Sequence, residues 1–166
     1  MERHTIIITV NNKVGVLARV AGLLSSRGYN IDSIIGAPTE NPDIYKIHLV
    51  VFGTEEKIEQ VTKQLNKLVD IIKIVDISHK RNYLVREFIL IKVRASNNRS
   101  EIFELVAVFN AKNVDVTPTY ITIDLSGPPL KIERFIELLT PYGILELVRS
   151  GCVAVSGVNI MKGEKT

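Results

Sequence analysis

The chain has 166 residues, with 21 Lys and Arg against 18 Asp and Glu and a net charge of +3. That length suits one ordinary domain or two small ones of about 80 residues each. Its apolar residues come in short alternating runs, none near the roughly 18–20 continuous positions of a membrane span, and its basic surplus is small and scattered, densest at Lys80, Arg81 and Arg86, which argues against nucleic-acid binding. A single cysteine, Cys152, excludes an internal disulfide and any multi-cysteine metal site. Met1, Glu2, Arg3 and His4 lead straight into a strand-like run, without the features of a secretory signal, so a cytoplasmic location is expected.

Periodicity gives the elements in chain order. Residues 4–11 alternate, with Ile6, Ile8 and Val10 on one face and Thr5, Ile7 and Thr9 on the other, which predicts a strand. Val16, Leu17, Val20, Leu23 and Leu24 recur at helical spacing, and Gly28 follows as a stop. A second strand is predicted over 29–37, broken by Pro38 and Pro42, and a third over 44–52. Thr54 is placed to cap the next helix, with Glu55 and Glu56 in the first turn, where the helix dipole favours carboxylates. Ile58, Val61, Leu65 and Leu68 form that helix's apolar stripe, and residues 71–77 supply a fourth strand. The order is βαββαβ.

After a polar linker at 79–83 the same order restarts. A strand is predicted over 84–95, then a helix over 100–111 with Ile102, Leu105, Val106 and Phe109 along one side, then strands over 114–117 and 120–125. Pro128 and Pro129 suit a helix start. Ile132, Phe135, Ile136 and Leu139 give that helix its stripe, Gly143 its stop, and residues 144–155 the last strand or strands. The expected fold is α+β: two ferredoxin-like βαββαβ units in tandem, at 1–78 and 84–166, each with two helices over one sheet face. The other face of the first sheet carries Ile7, Lys46 and His48 among apolar groups. An uncovered face with apolar edges invites another chain, so an oligomer paired through the first unit's sheets is expected.

Catalysis needs a nucleophile with a base, a carboxylate pair or a cofactor site. His4, His48 and His79 have no partners at metal-ligand spacing and read as surface or structural groups. Cys152, beside Val153 in an apolar strand, reads as an inert buried thiol, and Glu55 and Glu56 are explained as helix-start charges. No GxGxxG follows a strand, and no GxxxxGK[ST] is present. No catalytic residue and no metal site is therefore expected. The βαββαβ order also serves RNA-recognition and metal-transport modules. The third strand lacks the aromatic spacing that stacks bases, its counterpart in the second unit offers only Tyr120, and there is no CxxC loop.

The most informative segment is Asn11-Asn12-Lys13-Val14-Gly15-Val16-Leu17-Ala18-Arg19-Val20, between a strand and a helix start. Free backbone N–H groups there favour an anion such as an amino-acid carboxylate. Gly15 lets a ligand approach the backbone, and Asn12 can accept from an ammonium group through its side-chain oxygen. Taken alone, an Asn/Gly turn before a helix is more often a structural feature.

This segment resembles the effector loop of ACT domains, small-molecule sensors attached to amino-acid metabolism. With Arg27-Gly28-Tyr29-Asn30-Ile31-Asp32-Ser33, Ala37-Pro38-Thr39, Val85-Arg86-Glu87-Phe88, Val114-Asp115-Val116-Thr117-Pro118 and Val148-Arg149-Ser150-Gly151, the chain resembles the acetolactate synthase small-subunit family along essentially its whole length. The resemblance implies an ACT domain followed by the C-terminal ferredoxin-like domain of that family, with no active site. It implies a partner, the catalytic large subunit, that carries thiamine diphosphate, Mg and FAD, none of them bound by this chain. It further implies activation of that partner and feedback inhibition by a branched-chain amino acid, usually valine, held between two ACT domains of a homodimer or larger homo-oligomer. Carried over to this sequence, the effector contacts are Asn12, Gly15, Val16 and Leu17 from the loop and Asn30 and Ile31 from the second strand of the facing domain. Val16 and Leu17 also belong to the helix stripe, so either reads equally as core, and Asn30 also reads as a turn residue after Gly28. The turn Ala95-Ser96-Asn97-Asn98-Arg99 lacks the Gly–aliphatic pair, so no effector site is expected in the second unit. A free-standing ACT-type sensor of another enzyme and a nucleic-acid-binding βαββαβ protein remain as rival readings.

Overall fold

The computed structural model describes residues 2–80 and 82–157; Met1, Arg81 and residues 158–166 lie outside them. The chain forms β1 (Glu2–Asn11), α1 (Val16–Ser26), β2 (Ile31–Pro38), β3 (Ile44–Gly53), α2 (Glu55–Leu65) and β4 (Ile71–Asp76). It repeats the order with β5 (Tyr83–Arg94), α3 (Arg99–Val108), β6 (Lys112–Val116), β7 (Tyr120–Gly127), α4 (Pro129–Leu139) and β8 (Ile144–Ser156). Two four-stranded sheets result, ordered β2-β3-β1-β4 and β6-β7-β5-β8. By packing, the described residues up to 84 group with 152–157, and residues 85–151 form the other unit. The alternation at 144–155 predicts the strand but carries no sign that its end belongs with the first unit.

In the first unit the antiparallel register pairs Ile6 with Leu49 and Ile8 with Ile47, which puts all four on the helix side. Val16, Val20 and Leu24 of α1 and Ile58, Val61 and Leu65 of α2 close over them, and each fully buried aliphatic side chain contributes about 1.5–3 kcal/mol. α1 stops where Gly28 N–H bonds to Ser25 O at 3.0 Å and Tyr29 N–H to Leu24 O at 3.1 Å, a pair that satisfies the last helical carbonyls. That stop uses Gly28 and Tyr29, so β2 starts at Ile31, two residues later than alternation indicates. Thr54 sits at the N-cap of α2, but its hydroxyl makes no capping bond.

The second face of this sheet corrects the expectation of an uncovered surface. Ile7 is 7% exposed, His48 8% and Val50 0%. The end of β8 supplies cover, with His48 Nε2 donating to Ala154 O at 3.0 Å and Arg3 Nη2 lying 3.7 Å from Cys152 Sγ. Burial holds the His48 imidazole below its ordinary pKa, with the Ala154 bond opposing and Lys46 reinforcing the shift. Local periodicity could not reveal this contact, because Ala154 is 106 residues from His48.

In the second unit Ile89, Ile91 and Val93 of β5 and Ile121, Ile123 and Leu125 of β7 pack against Ile102, Val106, Ile132, Phe135 and Leu139. The rings of Phe109 and Phe135 meet with centroids 5.0 Å apart. Glu87 is a buried carboxylate gripped by Arg149 through Nε at 2.6 Å and Nη2 at 3.0 Å, and Arg149 Nη2 also reaches Glu133 at 2.7 Å. Among the described residues no helix is long and apolar enough to cross a membrane.

Candidate effector site

The loop between β1 and α1 is held from several sides by backbone. Asn11 N–H bonds to Asp70 O at 2.9 Å, Asn12 N–H to Asp43 O at 2.8 Å, and Lys13 N–H to Asn11 O at 2.9 Å. The Asn12 side-chain nitrogen donates to Pro42 O at 2.8 Å, which leaves its oxygen as the group available to accept from a ligand. Gly15 stands at the N-cap of α1 with φ +82°, a left-handed conformation that glycine adopts without steric cost.

The first helical bond of α1 runs from Arg19 N–H to Gly15 O at 3.0 Å. No side chain caps the helix, and its first turn carries no acidic residue, unlike α2 with Glu55 and Glu56. Val16 N–H is bonded to Lys13 O at 3.3 Å, and the N–H groups that follow it in the first turn keep their attraction for an anion. Two cations stand beside them. Arg19 Nη2 lies 2.5 Å and Lys13 Nζ 3.3 Å from the carboxylate of Asp70. Partial desolvation pushes the Asp70 carboxyl up, but Arg19 and Lys13 outweigh it and hold the group below the usual carboxylate range. Periodicity does not reveal this cluster; its signal is Arg19 four residues after Gly15, one helical turn on.

The six candidate residues occupy two places. Asn12 and Gly15 are exposed in the loop, and Leu17 is 41% exposed at the start of α1. Val16 is 4% exposed and belongs to the core, so its side chain serves packing and only its backbone borders the loop. Asn30 is exposed and Ile31 half-buried at the start of β2. β2 and β1 both pair with β3, and Ile31 is level with Val51 and hence with His4, whereas Asn11 is level with Ile44. From position 4 to position 11 the strand advances about 23 Å at ~3.3 Å per residue. One chain therefore does not bring the loop and the Asn30–Ile31 pair to a single small ligand. The register also shifts between Ile31 and Ser33, and such a bulge re-aims the neighbouring side chains.

No group of three or more His, Cys, Asp and Glu able to hold a metal occurs among the described residues. His4 is buried, with Nδ1 3.2 Å from Asp76 Oδ2. His79 lies on the surface, 3.7 Å from both Glu2 and Glu55.

Comparison with known proteins matches residues 6–73 to the family described as AHAS small subunit-like ACT domain, and residues 86–157 to the family described as small subunit of acetolactate synthase. The acetolactate synthase small subunit of Mycolicibacterium smegmatis is 46% identical over 92% of this chain and 90% of its own length. A probable acetolactate synthase small subunit of Archaeoglobus fulgidus is 45% identical over 92% and 96%. The crystal structure of the small subunit from Thermotoga maritima superposes with a TM-score of 0.83 at 37% identity, covering 94% of this chain and 98% of that one. Together with the twice-repeated βαββαβ order, these matches place the chain in the acetolactate synthase small-subunit family, a regulatory subunit with an ACT domain.

Proposed function

We propose that this subunit activates a catalytic acetolactate synthase large subunit and makes it sensitive to feedback inhibition by a branched-chain amino acid, valine first among them. The observation that carries the reading is the division of the candidate site. Asn12, Gly15 and Leu17 lie at one end of the first unit and Asn30 and Ile31 at the other, so a ligand touching both sets is shared by two chains. In that arrangement the first-turn N–H groups of α1, with Lys13 and Arg19 nearby, receive the carboxylate. The Asn12 and Asn30 side-chain oxygens accept from the ammonium, and Leu17 and Ile31 border the aliphatic side chain. Thiamine diphosphate, Mg and FAD belong to the partner in this reading, and the effector acts by stabilising one geometry of a homodimer. A differential affinity worth about 1–3 kcal/mol suffices for such control.

Complementation between chains tests the shared site. Asn12→Ala and Asn30→Ala each remove one half, so neither homodimer should bind valine by calorimetry. A mixed dimer holds one site built from the intact Asn12 of one chain and the intact Asn30 of the other, so mixing the two variants after dissociation should restore binding. Failure of the mixture to bind, with both variants folded, contradicts a site shared between chains.

A further inference from the structure

We infer that β8 is the relay by which effector occupancy in the first unit reaches the second, with Arg3, His48 and Gly151 as its positioning residues. The inference rests on the amino-acid-sensing reading above and names the regulation of that site.

β8 is one strand divided between two packing environments. Up to Gly151 it belongs with the second unit and from Cys152 with the first. At the division Gly151 has φ +78°, a left-handed conformation that bends a strand and disfavours any side chain. Immediately before it Ser150 Oγ accepts Phe88 N–H at 3.0 Å and donates to Gly151 O at 2.8 Å, so a side chain stands in for a ladder carbonyl. One residue earlier Arg149 is clamped by Glu87 and Glu133.

Beyond the bend β8 is tied to residues that adjoin the proposed effector contacts. Arg3 Nη2 lies 3.4 Å from Asp32 Oδ2 and 3.7 Å from Cys152 Sγ. Asp32 directly follows Ile31 at the bulge of β2, so one guanidinium touches both the effector strand and β8. The second tie is His48 Nε2 to Ala154 O at 3.0 Å, and His48 is the cross-strand partner of Ile35 in β2. A movement of β2 on ligand binding thus reaches two polar contacts with β8. On the other side of its bend the strand is held by the Arg149–Glu87 ion pair. Transmission between sites requires an element with two discrete arrangements, the role inferred for β8.

The test separates binding from its consequence. His48→Leu keeps an apolar volume but cannot donate to Ala154, Arg3→Met keeps the stem without the guanidinium, and His48→Gln retains a donor. Valine affinity by calorimetry should stay within about threefold of the unsubstituted protein in all three, and activation of the large subunit should persist. Inhibition by saturating valine should weaken by about fivefold or more in His48→Leu and Arg3→Met, in the range of ordinary couplings, and return in His48→Gln. Unaltered inhibition in both deficient variants overturns the relay, as does loss of valine binding together with inhibition. Failure of the sensing reading itself would show separately, as an unsubstituted protein that neither binds nor responds to valine. Hydrogen exchange then carries the test without an effector. His48→Leu should raise exchange at residues 152–156 and also at 144–150, and a rise confined to 152–156 overturns the inference.

Discussion

Single side chains separate binding from architecture in the first unit. Asn30 is exposed outside the core, so Asn30→Ala should abolish the response to valine while leaving activation of the large subunit intact; equal loss of both would make it a structural residue. Gly15→Asp places a carboxylate where the proposed site receives the effector's own, 3.3 Å from the Arg19 guanidinium at its Cβ. Calorimetry should show valine binding lost, and unchanged binding would remove Gly15 from the site. The new side chain also has to adopt φ +82°, so a modest drop in stability should accompany it. His48 gives a pH dependence with a defined sign. Its folded pKa is depressed chiefly by burial, so the unfolded chain binds the extra proton first as pH falls. The stability contribution is complete above about pH 6.5 and is lost as pH drops below that value towards the folded pKa. Urea unfolding at pH 7.5 and 5.5 should show a larger loss for the unsubstituted protein than for His48→Gln. Asp70 and Asp76, both held low, act only in the carboxylate range near pH 4 and below, so the two effects do not overlap.

At the scale of elements, most of the fold is legible because core and periodicity agree. The stripe Val16, Val20 and Leu24 and the alternation of Ile6, Ile8 and Val10 predict α1 and β1, and these residues form the core. The stop at Gly28 is legible too, because a left-handed glycine closes a helix through local bonds alone. What escapes is non-local. The cover over His48 comes from β8, and the grip of Arg149 on Glu87 joins residues 62 positions apart. A carboxylate in β5 directly before the apolar run is read as surface until its partner is known. Its energetic weight is measurable: Glu87→Gln should cost about 1.5–3 kcal/mol in urea unfolding, because the charge-assisted bonds from Arg149 to a buried carboxylate lose their anion. A change below about 0.5 kcal/mol would mean that Arg149 and Glu87 are held by the fold rather than holding it.

For the molecule as a whole, the candidate site is legible only in halves. Loop chemistry alone makes Asn12 and Gly15 plausible, and resemblance adds Asn30 and Ile31, but their separation along the sheet emerges only from the β1–β3–β2 register. Val16 illustrates the ambiguity of a helix-start aliphatic, which faces either ligand or core; here it faces the core. The Asp70–Arg19–Lys13 cluster is hidden from local reading because Asp70 lies 51 positions from Arg19. In the proposed reading the divided site makes the functional unit an assembly rather than a chain, and the proposed relay through β8 gives the second βαββαβ unit its role. Both depend on the regulatory role. The most direct measurement is acetolactate formation by the cognate large subunit, with and without this protein, across a valine titration. Stimulation that valine then reverses is the predicted result. Activity that is indifferent to this protein at every valine concentration would contradict the regulatory role.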